Sequence, residues 1–502
     1  MFVKKRNRAL GLAVPVAILI GLAGCAAEPA PVVPAEGGDL VAASPYATDS
    51  LDPHGPAGMA SGTVLVAQEI FSRLVKANTS GEIVSDLAES WETNDTATEW
   101  TFALREDVVF SDGSPLTSAD VVSSFNRVLE LKGPVAGNFA GVTISSPDDL
   151  TVVFTSDKSE AALLGKLTVF FVTPADVTDS SFTEPVGSGP FVLDSFTPGS
   201  EVVLAPNEEY FDGAPLLDSL TFRVIPEVAA RLTALQSGEV QVTWGVPDDQ
   251  LPQLQSDPGL VVETVPSTSV ATMWFNSSRP ALSSAEVRNA IWQAVDFDTI
   301  IAALFPETGE AATSAVAENV FGFAAQSPKE YDPDAAKATL EDAGFDFSQT
   351  LQIQFSGATY RQFIQAIASD LAKIGVTAEP TEKESAVFLE DLLALNWDIN
   401  FQALSTATFD AATNLGRLYP CAANRTGYCN DELDALLLEA GGTSDLEVRQ
   451  EAYADAIEII WDDAVGMYPM ALKIAYASQS TVQGLDPDPS FLPEFSKVSV
   501  SQ

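Results

Sequence analysis

Apolar, β-branched stretches alternate with helix-capping signals along most of the chain, and this alternation restricts the fold to the α/β class. An all-β sandwich or a helical array would show one period only. Strands are predicted at Trp100 to Leu104, Thr151 to Phe154, Val202 to Leu204, Leu220 to Val224, Leu260 to Val265 and Leu351 to Phe355. Ser283 and Glu286 have the spacing of a capping box ahead of Val287, Ala290, Ile291, Ala294 and Val295. Asp332-Pro333 offers an N-cap and an N1 proline to a helix that Gly344 ends. Phe363, Ile364, Ile367, Leu371 and Ile374 mark one face of a third helix stopping at Gly375, and Ser444 with Glu447 caps a fourth that runs towards Trp461. With 46% hydrophobic residues in 502, the chain can bury more than one core and is expected to divide into lobes.

The N-terminus reads differently. Lys4, Lys5, Arg6 and Arg8 precede an apolar run from Leu10 to Leu22 and the sequence Leu22-Ala23-Gly24-Cys25. A run of about 13 residues is short of the roughly 20 a spanning helix needs, so residues 1–24 are expected to be a signal peptide. Leu-Ala-Gly-Cys resembles the bacterial lipobox, which makes Cys25 the expected lipidation site. Acyl chains there would hold the protein on the outer face of the cell membrane, on a periplasmic side or an exposed surface. Residues 25–39, rich in Ala, Pro and Gly, read as a lipidated flexible spacer.

The composition argues against several partners. Removing the four basic residues of the signal from 25 leaves 21 against 70 acids, a formal charge of −49, which repels phosphate backbones; nucleic acid is not an expected partner. Of three cysteines, Cys421 and Cys429 remain once Cys25 is lipidated, and in an oxidising setting they are expected to pair. Closing so short a loop would stabilise by about 2.5 kcal/mol. His54 is the only histidine and lies in a turn-like Leu51-Asp52-Pro53-His54, where a surface position is expected. Neither a triad nor a histidine-based metal site is provided for, and no Gly-x-Ser-x-Gly, His-Glu-x-x-His or Walker-type loop occurs. Paired carboxylates of a glycosidase are possible in principle, but among 70 acids some pair falls at any spacing. No catalytic residue, cofactor or metal is expected.

Motifs carry the rest. Leu87-Ala88-Glu89-Ser90-Trp91-Glu92 is followed by Trp100-Thr101-Phe102-Ala103-Leu104-Arg105 and by Phe110-Ser111-Asp112-Gly113-Ser114-Pro115-Leu116-Thr117. Then come Gly187-Ser188-Gly189-Pro190-Phe191, Asn207 with Tyr210-Phe211-Asp212-Gly213, Arg231 with Gly238-Glu239, Val287-Arg288-Asn289-Ala290-Ile291, Tyr331-Asp332-Pro333 and Gly427-Tyr428-Cys429-Asn430. In this order, from about Leu51 to about Pro469, they resemble the family 5 bacterial extracellular solute-binding proteins, the dipeptide, oligopeptide and nickel receptors of ABC importers.

The resemblance implies a two-lobed periplasmic-binding-protein-like α/β fold of the large, class II or cluster C type, with a ligand cleft between the lobes. Lobe I would comprise residues 40–268, with a subdomain at about 62–185, and a return segment 473–502; lobe II would comprise 269–472. The implied function is that of a monomeric substrate-binding lipoprotein, not an enzyme, that captures a short peptide or peptide-like solute and delivers it to permease subunits. In dipeptide-binding members an acid that pairs with the peptide amino group follows a Gly-Trp step. Here the Trp position is Leu404 and the acid position is Ala407, which leaves Asp410 as a candidate replacement and Ser405 as a polar contact. Arg361 falls where peptide binders place an arginine against the ligand carboxylate, a task its fork suits. Gly58 to Thr63, with Ser61, is expected at the cleft mouth. Nickel fits poorly, since residues 269–472 contain no histidine. An oligosaccharide stacked on Trp244, Trp274 or Trp397, residues that read first as core, is the alternative ligand, and a carboxylate-based surface glycosidase the alternative class.

Overall fold

A computed structural model describes residues 37–501; the expected signal peptide, Cys25 and most of the spacer lie outside the described residues. Its spine is a pair of long antiparallel strands, Leu260–Phe275 and Gly466–Gln479. The burial of the first strand changes along its length. From Leu260 to Pro266 no residue is fully buried, while from Ser267 to Phe275 every residue is. One face of the strand meets solvent at its start and both faces are covered at its end. The sequence places the end of this strand at Val265, ahead of a crossing between lobes near Pro266 to Ala271. The chain instead absorbs those residues in a register shift between Pro266 and Val270, where Ser267 Oγ donates to the carbonyl of Leu472 at 2.8 Å. A bulge is where a sheet tolerates proline.

The spine is central in an eleven-stranded mixed sheet. On one side follow Val242–Trp244, Asp39–Ser44, Ser219–Val224, Glu201–Pro206 and Phe191–Thr197; on the other Ile399–Ser405, Thr350–Ser356 and Thr377–Lys383, and the short strand Gly309–Ala311 pairs with Gly466–Gln479 off this path. Asp39–Ser44 runs parallel to both its neighbours, as does Thr350–Ser356. A separate four-stranded antiparallel sheet contains Ala88–Thr93, Glu99–Leu104, Thr151–Ser156 and Val142–Asp148. Helix Ser118–Leu131 begins in a capping box of Thr117 and Asp120 and buries Phe125 in edge-to-face contact with Phe139, Phe154 and Phe170. Such pairs contribute about 0.5–1.5 kcal/mol each beyond burial.

Four apolar cores result. One gathers residues from Val270 to Leu472, one from Leu74 to Val172, and two smaller ones draw on both the 40–254 and the 474–498 stretches. Trp244, Trp274 and Trp397 are all buried in these cores, at 0, 1 and 2% exposure, which removes them as a surface for stacking sugars.

The capping signals are mostly where the sequence puts them. Asp332 accepts from the Ala335 N–H at the start of helix Pro333–Asp342, and helix Arg361–Lys373 ends before Gly375 at φ +92°. Two are displaced by one residue. Ser284, not Ser283, precedes helix Ala285–Gln293, because the Ser283 hydroxyl donates to the Pro280 carbonyl in the preceding turn. Asp445 caps helix Leu446–Asp462, while the Ser444 hydroxyl donates to the carbonyls of Asn94 and Asp95.

His54 is not at the surface: it is 1% exposed. Asp52 accepts from its N–H and is itself gripped by both Nη atoms of Arg127; the imidazole stacks on Phe170 and its Nε2 lies 2.8 Å from the Phe171 carbonyl. Burial lowers its pKa to about 4, so the ring is neutral at physiological pH.

Candidate ligand-binding cleft

Three cavities follow one another beside the spine, and adjacent ones share a wall residue. The central cavity, of about 260 Å³, is bounded by Ser61 and Val64 from helix Ser61–Ile70, by Ser405 and Ala407, and by the loop 488–494. Three segments meet at Ser405, one of its wall residues. Thr268 N donates to the Pro489 carbonyl at 3.1 Å, the Thr406 N–H to the Thr268 carbonyl at 3.0 Å, and the hydroxyls of Thr268 and Ser405 lie 2.9 Å apart. Gln68 fastens the loop by donating to the carbonyls of Leu492 and Pro493.

Charge near this cavity is paired within the protein. Arg73 Nη2 meets Glu494 Oε1 at 2.5 Å and Lys76 Nζ meets the other oxygen at 3.4 Å. Burial alone would raise the Glu494 carboxyl, but the two cations hold it below the usual range. Glu69, behind it, is fully buried with only the Phe495 N–H as donor, and burial together with the Glu494 charge pushes its pKa well up, favouring the neutral acid. Asp488 also lines the cavity. Burial raises it to about 6 against the hydrogen bonds it accepts from Ser490.

A second cavity of about 550 Å³ shares Phe491 with the first and is lined by Tyr360, Arg361, Asp248 and Lys473. Arg361 begins helix Arg361–Lys373, is half exposed, and pairs with Glu382 through Nε at 2.7 Å and Nη2 at 2.5 Å. Asp248 accepts from the N–H groups of Glu307 and Thr308 and from the Thr308 hydroxyl, tying the 245–249 segment to the 304–308 segment.

A third cavity of about 580 Å³ shares Phe409 with the central one and contains Asp410 in its wall. Asp410 is 7% exposed, and both its carboxylate oxygens accept from Arg449 Nη2, at 3.0 and 2.8 Å.

Of the residues singled out in the sequence, the fold therefore brings Ser61, Ser405 and Ala407 together in the central cavity. Arg361 stands in the next one and Asp410 in the one beyond. Leu404, on the edge of the larger core, packs against it half-buried. Sequence reasoning missed Arg73, Asp488, Phe491 and Glu494, which reach the cavity from distant stretches; only the proline-rich run Asp486 to Pro493 hinted at a structured loop. The sulfurs of Cys421 and Cys429 lie within bonding distance, with Cα atoms 4.6 Å apart, and Asp431 is their neighbour in the one cluster of potential metal ligands among the described residues.

A mixed fold with cavities lined from separate cores, and with its charges paired inside the walls, suits the holding of a solute. The profile of the bacterial extracellular solute-binding proteins, family 5, matches residues 82–426, and the chain belongs to that family. Among its relatives, the probable D,D-dipeptide-binding periplasmic protein DdpA of Escherichia coli is 28% identical over 82% of this chain and 85% of its own length. Heme-binding protein A of Haemophilus influenzae is also 28% identical, over 89% of this chain and 90% of its own. The crystal structure of the ABC transporter substrate-binding protein CtaP of Listeria monocytogenes superposes with a TM-score of 0.85 at 26% identity, covering 93% of this chain and 100% of that one. No helix among the described residues is long and apolar enough to cross a membrane.

Proposed function

We propose that the chain is the substrate-binding lipoprotein of an ABC-type importer and that it captures a short peptide or peptide-like solute in the central cavity. It would act without covalent chemistry, as a monomer anchored through Cys25 to the outer face of the cell membrane. Ser61, Ser405 and Ala407 contact the ligand in this reading, Leu404 backs them, and Arg361 receives a carboxylate by exchanging it for Glu382. Asp410, a candidate ammonium clamp, serves instead as the partner of Arg449. Residues 40–268 with 473–502 form lobe I and residues 269–472 lobe II; the limits of the largest core, at Val270 and Leu472, support that division. Closure of the lobes desolvates the ligand and offers the permease a distinct shape. The Cys421–Cys429 pair is read as a bridge that fastens the 421–429 loop.

The observation that carries the proposal is a cavity walled by Ser61, Ser405, Ala407 and the 488–494 loop, where Thr268 ties Ser405 to that loop. Peptide-binding relatives support the ligand class, although a relative named for heme is equally similar. Native mass spectrometry of the purified protein, followed by titration with dialanine and trialanine, tests it. Peptide masses and saturable heat without turnover are expected. Cleavage of a peptide or glycoside, abolished by one Asp or Glu substitution, would replace the receptor by an enzyme.

A further inference from the structure

The third cavity is larger than the central one and differs in chemistry. Trp91, Trp100, Leu164 and Phe321 make much of its wall, while Glu82 and Glu318 stand exposed at its rim. Its buried charges cancel, because Asp410 accepts two bonds from Arg449 and the guanidinium lies 4.8 Å from the centre of the Phe321 ring. Neither of these buried charges is free to take a ligand ammonium or carboxylate. What the chamber offers a ligand is therefore apolar contact with Trp91, Trp100, Leu164 and Phe321.

Phe409 separates this chamber from the central cavity. Its backbone is left-handed, with φ +54°, a conformation that strains a bulky residue. Three bonds hold it there: its own N–H to the Thr406 carbonyl, its carbonyl from the Phe321 N–H, and the Ala411 N–H to the Phe321 carbonyl. The loop at Gly81 presses on the same place, since a Cβ at Gly81 would lie 2.2 Å from the Asn319 carbonyl and 3.1 Å from Phe409 Cδ1. The ring is thus a partition set by two segments, with Ala407 and Ser405 presenting no charge before it.

We propose that the chamber behind Phe409 binds one further apolar side chain of the ligand peptide, so that the peptide passes Ala407 as an uncharged segment and Phe409 sets where that residue enters. This rests on the peptide reading. The amino end of the peptide points into the chamber, because Arg361 stands at the opposite end, beyond Phe491.

The test compares N-acetyl-Phe-(Ala)n with N-acetyl-(Ala)n+1, with one to four alanines, by calorimetry on the purified mature protein. At one length the phenylalanine is expected to tighten binding about tenfold to a hundredfold. Leu164→Trp, which narrows the chamber, should reduce that ratio at least about threefold. If peptides bind but phenylalanine gives no gain at any length, or the gain is undiminished in Leu164→Trp, the chamber proposal is overturned while the peptide reading stands. If neither series nor dialanine binds, the peptide reading fails and takes the chamber with it.

Discussion

The two ends of the candidate cleft hold the same kind of ion pair in opposite surroundings. At one end Arg361 pairs with Glu382 while 49% of its side chain remains exposed; at the other Arg449 pairs with Asp410 with 3% exposed. The exposed pair contributes little to stability, roughly 0–1 kcal/mol, and can open to receive a carboxylate at small cost. The buried pair cannot open, because either partner alone would leave an unpaired charge in a low dielectric. An arginine in a cleft is therefore a candidate ligand contact only when its present partner can be given up.

Breaking the buried pair gives the largest expected effect. Asp410→Ala should destabilise the protein by about 3–5 kcal/mol, seen as a lower midpoint in chemical denaturation, with a smaller loss in the double variant Asp410→Leu, Arg449→Met. A midpoint unchanged in the single variant would show that the charge of Arg449 finds water, and the contrast between the ends would vanish. Arg361→Ala should behave in the reverse way. Stability is expected to stay within about 0.5 kcal/mol, and affinity for a peptide with a free carboxylate to fall by about 1.5–3 kcal/mol, tenfold or more. Equal affinity for the variant and the parent protein would remove Arg361 from the site.

The same contrast explains what was legible in the sequence. Signals that depend on neighbours in the chain survived: the Asp332 cap, the stop at Gly375, and the strands around Phe102, Val152 and Leu351. Signals overridden by distant contacts did not. The Ser444 hydroxyl is drawn to the 94–95 carbonyls across 350 residues, so the next residue caps the helix. His54 was read correctly as part of a turn, but its burial depends on Phe170 and Phe171, which no local pattern announces. The family motifs pointed to Ala407 and Arg361, whereas the partition at Phe409 and the loop with Asp488 arise from left-handed backbone and long-range packing that carry no compositional mark.

Between the two ends, the central cavity is the place where pH should act, and a smaller effect is expected there. Burial raises the Asp488 pKa to about 6 in the folded protein, against about 3.9 for an exposed aspartate. Its contribution to stability is accordingly complete below the unfolded value and is lost as pH rises through about 6. Asp488→Asn keeps the Oδ1 that accepts from Ser490 and removes the ionisation. The stability of this variant relative to the parent should therefore improve from pH 5 to pH 7, by up to about 1 kcal/mol after allowance for partial solvent access. His54 works against the comparison if either protein is followed alone: its pKa is lowered to about 4, so its contribution is present above about 6.5 and lost as pH falls through 4. Both proteins carry that term, and it cancels in their difference. A difference that stays flat between pH 5 and 7 would mean that Asp488 is as well solvated as Arg361, and that the central cavity belongs with the exposed end of the cleft.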